Sequence, residues 1–392
     1  MESSPYYLLM KNIIVIIICL IIPPTFLSTL SFSYPTSIIL NNGNIFIIHK
    51  TGVAVTDPTC TTVKSTHTPF SEELTESSYS KISIGKFEDG MIICLMYNRI
   101  YFYTSTGDFK KKANGQITSA DILYFSLVPY YVDINSYHHY IVAYISGMTL
   151  NLVYYKYDLT QTTDISYVGN FYIESTFAIK IQNKGITCEF LKNSSSENIL
   201  TCFYTVYSDN SYQLAISFLR INGANIETKM ETKYFNIDNR GLSYDCIKSS
   251  TISDHSKTLI CYYLYDKKSE CFIYDLFEHI NDITIDLYEY KGNCMQKMHG
   301  LKVYYFSQSQ EFIFSCLLED KGLQIASFNS DLTSAYEEAF IFNDCNFLYG
   351  YSFAFSSGKN DYCLIYDIIC EGVDFFEEFH YNPDKKGEEG AK

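Results

Sequence analysis

The sequence predicts an all-β fold assembled from a repeated unit of short antiparallel strands. Three observations predict it. Aromatic residues make up 17% of the 392 positions, as 37 Tyr and 28 Phe with no Trp, and together with Ile and Thr they favour pleated, half-buried surfaces. Apolar runs of strand length alternate with polar turns along nearly the whole chain. A residue near the centre of the middle run of each unit recurs at Ile47, Cys94, Ala143, Cys202, Cys261, Cys316 and Cys363, at separations of 47 to 59 residues.

The units run 36–57, 81–109, 122–160, 186–223, 242–277, 301–332 and 345–376. Each reads as an apolar strand, a polar turn, a second strand, another turn and a third strand. The turns NNGN, FEDGM, YSDNS and YDKKSE supply the Asn, Asp, Gly and Ser that tight hairpins use. A fourth strand per unit would come from the less regular segments between units, such as YVGNFYIES and KMETKYFNID. Helical spacing is scarce. DLFEHINDITIDLYEY could form a short helix, but the strands on both sides outweigh it.

A repeat of this length, made of short antiparallel strands, resembles a β-propeller of about seven four-stranded blades. The resemblance covers 34–376 and rests on period and strand patterning, because the named blade signatures are absent; a Trp-Asp dipeptide is impossible without Trp. The same pattern also fits a six-bladed ring or two stacked β-sandwiches.

Residues 1–33 read as a secretory signal region. Lys11 precedes an apolar run from Ile13 to Ile22, which Pro23-Pro24 end. About ten residues are too short to span a bilayer as a helix. The acidic stretch before Met10 is atypical of a signal's charged start, so Met10 is an alternative start. Residues 377–392 are polar and charged, expected to be disordered, and carry no apolar anchor. The expected location is therefore outside the cell, secreted or displayed at its surface.

The cysteines agree with that compartment. Of 13 Cys, Cys19 lies in the signal region, and the even remainder of a secreted chain suggests disulfides. Within the units, Cys188 and Cys202 fall on the first and second strands, as do Cys246 and Cys261, and Cys345 and Cys363. Facing residues on neighbouring antiparallel strands lie within disulfide range. The expected bridges are Cys188–Cys202, Cys246–Cys261 and Cys345–Cys363, then Cys60–Cys94 and Cys271–Cys294; Cys316 and Cys370 have no evident mates. The other reading makes each mid-strand Cys a small buried hydrophobe, as Ala143 is at the equivalent place. Asn193-Ser194-Ser195 is an N-glycosylation sequon in a polar stretch.

The formal charge of −15 argues against nucleic acid and anionic lipid as partners, since binding either needs clustered Lys and Arg. No zinc spacing, nucleophile elbow, protease signature, P-loop or dinucleotide fingerprint occurs, and the chain implies no cofactor and no metal. His138-His139 is the one His pair; adjacent strand residues face opposite ways and cannot share an ion, so it reads as a solvated strand-edge pair. Sialidase-like propellers would need S-x-D-x-G-x-x-W boxes; YTSTGDF at Tyr103 and FNSDLTSAY at Phe328 do not fit. The function expected is non-catalytic: a binding or adhesion module for a protein or glycan, using loops 191–198, 249–256 and 356–361. The alternatives are a secretory-pathway hydrolase whose site no motif reveals, and a non-catalytic fragment of a longer surface protein.

Overall fold

The computed structural model describes residues between Thr36 and Tyr381, with gaps at several connections, the longest being 69–81, 276–286 and 291–300; from residue 328 onward it describes the backbone. Among the described residues every regular element is a strand. Among the described residues no helix is long and apolar enough to cross a membrane.

The strands form seven local meanders. Blade 1 holds β1 (Thr36–Ile39), β2 (Ile45–His49), β3 (Gly52–Thr56) and β4 (Val63–His67). Blade 2 holds β5 (Ser83–Lys86), β6 (Ile92–Met96), β7 (Arg99–Tyr103) and β8 (Phe109–Lys112). Blade 3 holds β9 (Phe125–Val132), β10 (Tyr137–Ser146), β11 (Thr149–Asp158) and β12 (Ser166–Glu174). Blade 4 holds β13 (Lys180–Lys192), β14 (Asn198–Ser208), β15 (Ser211–Asn222) and β16 (Asn225–Asn236). Blade 5 holds β17 (Leu242–Thr251), β18 (Lys257–Leu264), β19 (Ser269–Asp275) and β20 (Leu287–Tyr290). Blade 6 holds β21 (Leu301–Phe306), β22 (Glu311–Leu318), β23 (Gly322–Asn329) and β24 (Ala335–Ile341). The last sheet holds β25 (Cys345–Ser356), β26 (Asp361–Cys370) and β27 (Val373–Tyr381). Six sheets thus have four strands and the last has three, a slight departure from the expected count. The strand β27 takes in 377–381, which the sequence assigned to a charged tail.

The first strands touch one another in order, and β25 returns to β1, so the sheets stand around one axis as a β-propeller. The middle strands show why the sequence reads as unbroken apolar runs. On β6, Ile92, Cys94 and Met96 pack against Phe46, Ile48 and Val55 of blade 1. Ile93 and Leu95 on the opposite face pack against Phe125, Leu127 and Val142 of blade 3. On β10, Ile141 and Ala143 face Cys188 and Cys202 of blade 4, whereas Tyr140 and Val142 face blade 2. Both sheet faces are buried between neighbours, so alternation disappears. The outermost strands keep it: β12 alternates exposed and half-buried positions. Ile47, Cys94, Ala143, Cys202, Cys261 and Cys316 each sit on the second strand of their blade and are fully buried.

The connections between first and second strands reuse one turn. Leu40 N–H bonds Asn44 O, Phe87 N–H bonds Met91 O, and Asp133 N–H bonds Tyr137 O; the fourth residue donates back to the first. That fourth residue is left-handed: Gly43, Gly90 and Ser136, with φ of 80°, 88° and 64°. At Gly90 a Cβ would also collide with the Asn41 side chain, so glycine meets two demands there.

Register decides the cysteines. Cys188 lies opposite Cys202, and the two are bonded with Cα atoms 4.1 Å apart. Cys246–Cys261 does not form, because a bulge in β17 places Lys248 opposite Cys261. Instead Cys261 faces Cys271 on β19 and bonds it, which also excludes Cys271–Cys294; Cys294 lies outside the described residues. Cys60–Cys94 is overturned as well: Cys94 is a buried free thiol between Ile84 and Tyr101, and Cys60 lies outside the described residues. Cys345 and Cys363 are not facing partners, since the backbone pairs Cys345 with Cys370 and Ala354 with Cys363. Cys316 is disulfide-bonded. Asn193 and the signal region also lie outside the described residues.

Non-reducing peptide mapping is expected to recover Cys188–Cys202 and Cys261–Cys271. Replacing both Cys188 and Cys202 by Ala should lower stability by about 3 kcal/mol for so short a loop, read from the denaturant midpoint. Burial pushes the Cys94 thiol pKa up, so alkylation of Cys94 is expected only on unfolding.

Candidate functional site: the axial cavity and its mouth

Seven first strands around an axis leave strand edges facing one another across blade seams, too splayed to continue as one sheet. Their polar groups need partners. Side chains supply them. Lys86 Nζ donates to Ile39 O at 3.1 Å, joining blade 2 to blade 1. Leu127 N–H donates to Ser83 Oγ at 3.1 Å, joining blades 3 and 2. Cys188 N–H donates to Ser126 Oγ at 2.9 Å, joining blades 4 and 3. Between blades 4 and 5, Thr187 Oγ1 and Ser249 Oγ are 2.6 Å apart, and Ser249 Oγ donates to Glu189 Oε1 at 3.1 Å.

These strands enclose an axial cavity of about 430 Å³, lined by residues of β1, β5, β9, β13, β17 and β21. Its wall carries hydroxyls, among them Ser37, Ser126 and Thr187, and the charged residues Lys86, Lys248, Lys302 and Glu189. Glu189 keeps some contact with the cavity, but protein encloses its carboxyl. Desolvation pushes its pKa up to about 7, against the opposing hydrogen bond from Ser249.

A second recess of about 240 Å³ lies at the end where first and second strands connect. It shares Lys86, Pro129, Phe190 and His255 with the axial cavity and adds Phe87, Glu88, Tyr130, Lys192 and Asn198. Tyr130 and Phe190 stack at 4.8 Å between ring centroids. His255 is left-handed, with φ of 60°, and its Nδ1 lies 3.0 Å from Phe190 O. The carbonyl can only accept, so Nδ1 carries the hydrogen and Nε2 is left to accept from a ligand. Lys192 N–H donates to His255 O at 2.7 Å, locking the turns of blades 4 and 5 together.

The three loops expected to bind all fall between a first and a second strand, and the described strand ends that flank them lie at one end of the ring. Segment 249–256 starts inside β17 rather than at a loop, and 193–196 and 357–360 lie outside the described residues. The His pair needs correction. His138 and His139 are buried, at 3% and 6% exposure, not solvated at a strand edge. They do face opposite ways. His138 Nε2 reaches Asp89 of blade 2 at 2.8 Å, and His139 sits between Tyr154 Oη at 2.8 Å and Asp133 at 3.2 Å. Burial chiefly lowers the His139 pKa, although Asp133 pulls the other way.

Sequence reasoning placed Ser249 in a candidate loop but missed Ser83, Ser126, Glu189 and the three cavity lysines. The available signal was a hydroxyl or a charge on the first strand of a unit, where a buried strand has no other use for one.

No family model matches this sequence, and no curated protein matches it. Solved structures match its fold. The chain is similar to the BP39L lectin from Burkholderia pseudomallei, with a TM-score of 0.53 at 9% identity over 90% of this chain and 99% of that one. The WD40 domain of Toxoplasma gondii coronin gives 0.46 at 7% identity, over 92% and 83% of the two chains. The WD40 domain of SCAP from fission yeast gives 0.43 at 7% identity, over 86% and 95%. At such identities the likeness to the lectin shows the fold alone: the protein is a β-propeller.

The raised Glu189 pKa has a defined sign. The folded state holds that proton more tightly than the unfolded chain, whose value is near 4.5. Stability is therefore lost as pH rises from about 4.5 through 7, by on the order of 3 kcal/mol. Glu189→Gln should melt above the parent at pH 8, and the two should converge near pH 4, by calorimetry.

Proposed function

We propose that this protein is a non-catalytic binding or adhesion module, secreted or displayed at the cell surface, whose ligand is a protein or glycan. The observation that carries the reading is the mouth recess, where stacked Tyr130 and Phe190 stand beside Lys86, Lys192, Glu88 and the open His255 Nε2. Apolar faces with a few convergent polar groups are the general form of a ligand site. Aromatic faces supply contact area at low entropic cost. The two cross-strand disulfides favour an oxidising compartment. A glycan is the ligand to test first, because ring faces and hydroxyl-bonding groups occur together here.

The test uses the soluble chain on a glycan panel and on intact cells. Saturable binding is expected, with Tyr130→Ala and Lys192→Glu each weakening it at least about tenfold, the size of a recognition contact. Phe177 is fully exposed in the β12–β13 connection, at the opposite end, so Phe177→Ser should bind like the parent. Absence of saturable binding, or loss with Phe177→Ser alone, would sink the proposal.

A further inference from the structure

The charge of the axial cavity runs opposite to that of the chain. The protein carries −15, yet the cavity wall presents Lys86, Lys248 and Lys302 against Glu189 alone among its described charged residues. These lysines come from β5, β17 and β21, on blades 2, 5 and 6, and only closure of the ring brings them to one space. Lys192 adds an ammonium at the mouth. A cleft of one sign with protein walls focuses field on its contents. Lys86 is exposed at the end of β5, and partial desolvation lowers its pKa.

The remaining wall is hydroxyl-bearing at Thr36, Ser37, Ser83, Ser126, Thr187 and Ser249. That composition suits a ring carrying hydroxyls better than an aliphatic chain. The volume of about 430 Å³ falls within the range of small-ligand cavities. The stacked Tyr130 and Phe190 lie where a following ring would emerge.

We propose that the axial cavity binds the acidic end of a glycan, a carboxylate-bearing sugar, with Lys86, Lys248 and Lys302 holding the carboxylate and the polar wall, whose Ser126, Thr187 and Ser249 hydroxyls are fixed by the blade seams, surrounding the ring. The inference rests on the binding-module reading above and names the chemistry of its ligand. Charge-assisted hydrogen bonds to a carboxylate are the strong ones, so the acidic group dominates selection.

The experiment is titration calorimetry on the full chain with four probes: glucuronic acid, glucose, sodium sulfate and N-acetylglutamate amide. Glucuronic acid is expected to bind saturably and more weakly as salt rises. Glucose and sulfate should each bind at least about tenfold more weakly, as should the glutamate amide. Lys302→Ala and Lys248→Ala should each cost about tenfold or more, in line with loss of a charged hydrogen bond. Lys302→Arg should retain most of the affinity, and an unchanged unfolding midpoint without ligand separates lost binding from lost folding. Equal affinity for glucose overturns the proposal. So does equal affinity for the glutamate amide, which would make the ligand an acidic peptide, or for sulfate, which would make the site a simple anion trap. If no probe binds while Tyr130→Ala still abolishes attachment to cells, this inference fails and the binding-module reading stands.

Discussion

Everything in this molecule depends on closing a ring of sheets whose innermost strands cannot pair with one another as a sheet. Each first strand needs partners on its axial side, and unpaired buried amides and carbonyls are costly. Lys86, Ser83 and Ser126 meet that demand at successive seams by bonding backbone groups of the neighbouring blade, and at the next seam Ser249 bonds the Glu189 side chain. The contact of β25 with β1 completes the circle. The same requirement creates the cavity, because the strands stop short of the axis and turn polar groups toward it.

Burial of both sheet faces follows from the ring and explains the cysteines. A mid-strand position such as Cys94 or Cys202 is fully buried and packed against a neighbouring blade. The two readings of these residues are therefore not rivals. Cys202 is a small core residue that also has Cys188 opposite it, and the two are bonded. Cys94 is the same core residue with Ile84 and Tyr101 opposite it, and it stays a thiol. What separates them is the neighbour in register.

The axial site gathers groups that are unremarkable one by one. Lys86 ends a short strand, Glu189 lies mid-strand, and His255 occupies the left-handed position of a turn. Together they make a hydroxyl-lined space with an inverted charge and an aromatic rim. Glu189 is held there by Ser249 across a blade seam, so the chemistry of the site and the cohesion of the ring share residues.

By itself the sequence determined the class of fold and the place of each second strand, since Ile47, Ala143, Cys202, Cys261 and Cys316 all lie where the repeat put them. Strand period, turn residues and double burial are local properties, and local properties are written in neighbouring letters. It did not determine which cysteines meet. The bulge between Leu242 and Ile247 moves Cys246 out of register with Cys261, and no motif in the chain announces it. The burial of His138 and His139 was equally hidden, because Asp89 comes from another blade and Asp133 closes the turn from the far side. Only the tertiary structure decided the site. Its lysines, hydroxyls and carboxylate stand on six different blades, and their proximity arises from ring closure, a long-range geometry that no stretch of sequence contains.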